Sequence, residues 1–105
     1  MIDRYIGAMA LSGTMRTSEA QFAKAIREIL RKRRGRRATF AQLRDLIPHY
    51  VSLTDEDRGI VPTRGEPVWY QAVRNVLAHR DNPGNAIHEG RLRYDEKPRG
   101  KLSLP

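Results

Sequence analysis

The stretch "PVWYQAVRNVLAHRD", Pro67–Asp81, gathers side chains of the kinds that read nucleic-acid bases. An arginine can donate to two acceptors of guanine, and an asparagine or glutamine can pair with adenine. At about 100° per residue, Gln71, Arg74, Asn75 and Ala78 fall on one side of a helix. Trp69, Val73 and Val76 fall on the other, flanked by Ala72 and Leu77. A small residue such as Ala78 permits close approach to a groove floor, and Tyr70 borders the polar set. A solvated helix face has the same composition, so the place of this helix in the fold must decide between the two.

A second basic feature is "RKRRGRR", Arg31–Arg37, with six cations in seven residues. Runs of this kind grip phosphates, and Arg36 and Arg37 are its candidate contacts. Cations also suit a helix C-terminus, where the macrodipole is negative. A third feature is "NAIHEGRLRY", Asn85–Tyr94. Glu89-Gly90 can close a tight hairpin, because glycine accepts the positive φ that a two-residue turn needs. Ile87 and Leu92 then share one face with Asn85 and Tyr94. Arg91 and Arg93 point the other way, towards phosphates or a minor groove. Glu89 at the tip opposes such contact.

Catalysis fits poorly. His79, Asn82 and His88 invite a His-Asn-His nuclease reading, but that motif starts on a strand and puts its metal-binding histidine on a later helix. Here the order is reversed. Asp81 and Glu89 followed by Arg91 lack the buried mixed sheet of a metal-dependent nuclease. The acids Asp55, Glu56 and Asp57 diverge from a helix start and make poor joint ligands. No catalytic residue, metal ligand or cofactor is expected, and the chain is read as no enzyme by itself.

The 105 residues suffice for one modest core. Their formal net charge of +8 favours a polyanionic partner. There is no cysteine, which excludes disulfides and thiol chemistry. No apolar run reaches the roughly 18 residues of a membrane span, and no clean signal peptide opens the chain. A bacterial or phage cytoplasm is the expected compartment, with no membrane partner.

Residues 1–16 read as an N-terminal arm and 95–105 as a C-terminal tail or linker, on either side of a domain over 17–94. Thr17 or Ser18 can cap a helix over Glu19–Arg34, whose stripe is Phe22, Ile26, Ile29 and Leu30. Gly35 ends it. Arg37–Thr39 can form a short strand. Thr39 with Gln42 makes a capping box for a second helix, with Phe40, Leu43 and Ile47 inward. Thr54 caps a further turn over "TDED", and "RGIVPTRGEP" reads as a loop. It delivers the chain to Pro67, a residue favoured in the first turn of a helix. Helix, short strand, helix, helix and hairpin is the order of a winged helix. The expectation is a mostly α fold with a small β-hairpin, a helix-turn-helix core plus a wing.

Several residues together resemble a known pattern. Leu53-Thr54-x-x-Asp57, Pro67-x-Trp69, Arg74-Asn75 and Gly90-x-Leu92-x-Tyr94 are similar to the N-terminal winged-helix domain of Mrr-type restriction enzymes and related modification-dependent endonucleases. The resemblance spans Glu19–Tyr94. It implies recognition of double-stranded DNA, methylated or not, for a restriction or defence system. The family's nuclease domain has no counterpart in these residues, so a free-standing module and one domain of a longer enzyme both fit, and the "LSLP" ending suits the latter.

The composite expectation is a sequence- or modification-specific duplex DNA-binding module. Helix 67–80 would lie in the major groove and wing 85–94 on backbone or minor groove. Tyr70, Gln71, Arg74, Asn75, Arg91, Arg93, Arg36 and Arg37 are its candidate DNA contacts. The rivals are a protein-interaction winged helix, a stand-alone transcriptional regulator and an RNA binder. The last would need exposed aromatics for stacking, and the chain has few to spare.

Overall fold

The protein is described by a computed structural model covering residues 15–97 and 100–105. The expected arm over residues 1–16 lies outside the described residues except for Met15 and Arg16. The first helix, α1, spans Glu19–Lys32. Ser18 is its cap. The Ser18 hydroxyl accepts from the Gln21 amide, and the Gln21 side chain accepts from the Ser18 amide, so two orphan donors are satisfied at once. Phe22, Ile26, Ile29 and Leu30 are buried along one stripe, as their spacing predicts. Gly35 sits at φ +82° just past the helix, a conformation a side chain would resist.

Strand β1, Arg37–Thr39, leads directly into α2, Phe40–Leu46. Thr39 and Gln42 form the capping box expected of them. A third capping box, Thr54 with Asp57, opens the single-turn helix α3, Asp55–Arg58. The Gly- and Pro-rich segment after it is more ordered than a loop. Strands β2, Ile60–Val61, and β3, Glu66–Pro67, pair antiparallel. This ribbon hands Pro67 to the cap of α4, Val68–Ala78.

Helix α4 packs on α1 and α3. Trp69 is 5 % exposed and its ring stacks on Phe22 with centroids 5.9 Å apart. Val73 and Val76 are fully buried in the same cluster as Ile26 and Leu30. The expected division of the helix into a Trp69–Val73–Val76 face and a polar face is therefore the observed one.

The C-terminal third differs from expectation. No hairpin forms over Asn85–Tyr94. Asn85 is buried, and its side chain takes over local backbone groups. Its amide nitrogen donates to the Val76 carbonyl at 2.9 Å, and its oxygen accepts from the amides of Ile87 and His88. An Asx-type turn of this kind removes from any ladder the N–H groups that a strand over 85–89 would offer. The hairpin forms later instead, from β4, Arg93–Asp95, and β5, Lys101–Ser103.

The segment read as a tail is thus the middle of a sheet. β5 lies between β1 and β4, antiparallel to both. Leu102 is fully buried, with Ala38 and half-buried Tyr94 opposite it on the two neighbouring strands. The domain boundary expected at residue 94 moves to the far side of β5. Tyr94 also closes on the start of α2, with its ring 6.5 Å from that of Phe40. The described residues therefore make one mixed domain of four α-helices, a three-stranded antiparallel sheet and a two-stranded ribbon.

Asp57 ties the segment before α1 to α3. Its two oxygens accept from the Thr17 amide at 2.8 Å, the Thr17 hydroxyl at 2.6 Å and the Thr54 amide at 2.9 Å. The residue is only 1 % exposed. Burial pushes its pKa up, but the hydrogen bonds from Thr17 and Thr54 together outweigh burial and hold it below the ordinary value. A depressed folded-state pKa stabilises the fold above the unfolded value of about 3.9, and that stabilisation is lost as pH falls through the folded value. Thermal melts of the wild type should therefore drop in Tm below about pH 4. Asp57→Asn should melt lower at neutral pH and show a shallower acid dependence. An unchanged acid limb would remove Asp57 from this role.

The position of β5 gives a second expectation. A chain ending at Asp95 loses the central strand and the buried Leu102. Its unfolding should lose cooperativity, as read by circular dichroism against denaturant. A deletion that left the transition intact would restore the tail reading.

Candidate nucleic-acid interface

The outward side of α4 is a connected hydrogen-bonding chain. The Arg74 Nη2 donates to Glu66 Oε1, its ion-pair partner on β3. The same nitrogen donates to Gln71 Oε1 at 3.1 Å. Gln71 Nε2 in turn donates to Asn75 Oδ1 at 2.9 Å. The structure thus brings together three of the expected contacts, Gln71, Arg74 and Asn75, and adds a fourth group that composition and periodicity did not single out. The hydrogen bond from Arg74 is the largest effect on the Glu66 carboxyl and lowers its pKa, burial opposes it, and the charges of Arg74, Arg64 and Arg44 add to the lowering, so the net shift is below the ordinary value. Glu66 is ionised at neutral pH, so Arg74 is not a free cation.

Tyr70 is half-buried and makes a T-shaped contact with Trp69, centroids 4.8 Å apart. The guanidinium of Arg44 lies over its ring at 4.8 Å. Tyr70 thus contacts Trp69 of its own helix and Arg44 of α2, and remains part-exposed.

The remaining candidates lie elsewhere. Side chains alternate across a strand. In the observed register, Arg37 and Arg93 both stand opposite Ser103, on the face of the sheet turned away from Leu102. Lys101 lies on that same outer face between Thr39 and Asp95. Arg36 precedes β1 with φ +54°, unusual for a residue with a side chain, and its carbonyl accepts from the Leu104 amide. Arg36, Arg37 and Arg93 are thus neighbours on one basic surface with the end of α1. Arg91 does not belong to it. It lies in the turn segment before β4, where its Nη2 donates to the Gly84 carbonyl at 3.2 Å.

Among the described residues, no carboxylate lies within 4.0 Å of any cation of Arg31–Arg37, of Arg93 or of Lys101. The close contacts between oppositely charged groups lie at other residues: Arg16 with Glu56, and Arg64 and Arg74 with Glu66, while the His79 ring meets Glu19. At α4, Glu66 offsets part of the charge of Arg74 and Arg64, whereas on the sheet face the one acid in the strand registers, Asp95, stands opposite Lys101 without an ion pair within 4.0 Å. The two sets rest on different supports, with α4 packed on α1 and α3 and β1 of the sheet on α2.

Glu66 escaped notice because only the β2–β3 ribbon brings it within reach of a residue eight positions on. Lys101 was hidden in an assumed tail, although the alternation Lys101-Leu102-Ser103-Leu104 carries a faint strand signal. No group of three or more metal-ligating side chains is assembled among the described residues, and none of their helices is long and apolar enough to cross a membrane. Comparison with family models, curated proteins and solved structures finds no match to this chain.

The α4 network is part-exposed, with side-chain exposures of 32 % for Arg74 and 25 % for Glu66. Ion pairs open to solvent contribute little to stability. Arg74→Ala and Gln71→Ala should therefore leave Tm within a few degrees of the wild type in a thermal melt. A larger loss would make the network a part of the core.

Proposed function

We propose that this chain is a winged-helix module that binds double-stranded DNA. The observation that carries the reading is the uncompensated basic surface formed by Arg31–Arg37, Arg93 and Lys101, on a sheet whose β4–β5 hairpin follows α4 in the manner of a wing. In a winged helix the element before the hairpin is the recognition helix. Here it is α4, with Gln71, Arg74 and Asn75 outward. The wing is the β4–β5 hairpin over Arg93–Ser103, in place of residues 85–94. Arg36, Arg37 and Arg93 hold phosphates, and the α4 side chains read bases. The resemblance to the N-terminal domain of Mrr-type restriction enzymes supports a role in a restriction or defence system, with the recognition of a methylated duplex within its scope.

A second reading is favoured by the pairing of Arg74 with Glu66. If the neutral side of α4 faces no DNA, the β4–β5 hairpin is the reader and α4 serves the core. Both readings predict strong salt dependence. If about five phosphates are neutralised, log K should fall against log salt with a slope near −4 to −5. Arg93→Ala should lower that slope by about one unit and weaken all duplexes alike. Arg74→Ala should weaken a site selected from a random duplex pool more than a scrambled one. Fluorescence anisotropy with the selected and scrambled duplexes measures all of these. A salt slope near zero would sink both readings. A wing variant that loses preference while Arg74→Ala keeps it would select the second.

A further inference from the structure

The Glu66–Arg74 pair presents two unsatisfied edges side by side. Arg74 spends its Nη2 hydrogens on Glu66 and Gln71, and its Nε and Nη1 have no acceptor among the described residues. Glu66 engages Arg74 and Arg64 through Oε1 alone, leaving Oε2 without a donor among the described residues. Both side chains are part-exposed at the first two turns of α4 and the strand that feeds it. A fixed donor beside a fixed anionic acceptor is a poor site for phosphate, because Glu66 repels it. The complement of such a pair is a neutral edge that offers acceptors and a donor in a row.

The major-groove edge of a G·C base pair is such an edge. Guanine presents N7 and O6 as acceptors, and the cytosine N4 amino group beside them is a donor. With its Nη2 hydrogens engaged, Arg74 can donate one N–H from Nη1 to a guanine acceptor, and a carboxylate accepts from the cytosine amino group. Adenine, whose edge offers one acceptor and one donor, is matched by asparagine or glutamine, but here Gln71 and Asn75 are bonded to each other. Resting on the reading of α4 as a recognition helix, we infer that Glu66 is a specificity-determining residue, which with Arg74 reads one G·C pair of the target by accepting from the cytosine amino group. Glu66 has a second effect. By neutralising Arg74 it withholds a cation from phosphates, so α4 adds little to binding of the wrong sequence.

The test begins with selection of bound sequences from a random duplex pool by the wild-type chain, followed by anisotropy titrations of variants. The expected selected site contains one invariant G·C pair. Glu66→Ala should lower the affinity ratio of selected to G·C-substituted duplex about tenfold. It should also tighten binding to scrambled duplex and steepen the salt slope by about one unit, because Arg74 becomes a free cation. Glu66→Gln, which keeps an acceptor without the charge, should retain part of the ratio while showing the steeper slope. Should Glu66→Ala melt too low for titration, Arg74→Ala carries the test, since it should lose the same G·C preference. Wild-type binding to duplex with no fixed G·C pair would overturn this inference and leave the DNA reading standing. So would an equal loss by Glu66→Ala on every duplex, which is the mark of a structural role. A wild-type chain that binds no duplex would overturn the DNA reading and this inference with it.

Discussion

The way α4 lies on α1 decides what this domain can present to the outside. Trp69 stacks on Phe22 near the N-terminus of both helices, and Val73 and Val76 continue the contact into the centre of the core. At the far end, His79 Nδ1 meets Glu19 Oε1 at 2.6 Å and the Asn85 amide meets Glu19 Oε2 at 3.1 Å. The helix is thereby pinned at both ends against one neighbour. Once those contacts are made, the rotation of α4 about its own axis is fixed. Gln71, Arg74 and Asn75 then have no choice of direction, because residues three and four positions apart share a face. Every statement about the outward chemistry of α4 depends on this packing.

The sheet is constrained differently. Its central strand comes last in the chain and joins β1, formed early, to β4. The pairing of β5 with β4 is local, whereas its pairing with β1 joins residues some sixty positions apart and so costs more chain entropy to close. The same closure sets Arg37 beside Arg93 across Ser103. The two arginines stand on the outer strands, about 10 Å apart across β5. Both are exposed, so solvent and salt screen them from each other.

How far the fold could be read in advance follows from the range of the interactions involved. Capping boxes are local, and the ones at Thr39 and Thr54 were legible from residues three apart. The stripes of α1 and α4 were legible because helical periodicity repeats a signal over several turns. The wing was not. Asn85-Ala86-Ile87-His88 has the alternation of a strand, but the Asn85 side chain can bond the backbone two and three residues on, and a buried asparagine with its amide on Val76 is a tertiary fact. Lys101–Ser103 is a three-residue strand, too short for alternation to speak clearly, and its pairing with β1 is remote in sequence. Glu66 shows the same limit in the site: an acid before a proline says nothing of an arginine eight residues later until the ribbon positions both.

Separation of charge from reading has a physical consequence for how such a module would discriminate. Phosphate contacts support all sequences alike, so a cation on the recognition helix raises the background as well as the signal. Pairing that cation with a fixed carboxylate removes most of its attraction for phosphate. Its hydrogen-bonding edge remains. A base edge that satisfies both partners restores what the approach strips of water, whereas one that satisfies only the arginine leaves a carboxylate desolvated without a donor, which is costly. Discrimination then comes largely from the penalty on wrong edges, a route to specificity that does not require tighter binding to the right one. In the proposed module, the cations of Arg31–Arg37, Arg93 and Lys101 would meanwhile supply affinity through phosphates, which support all sequences alike, and leave discrimination to α4.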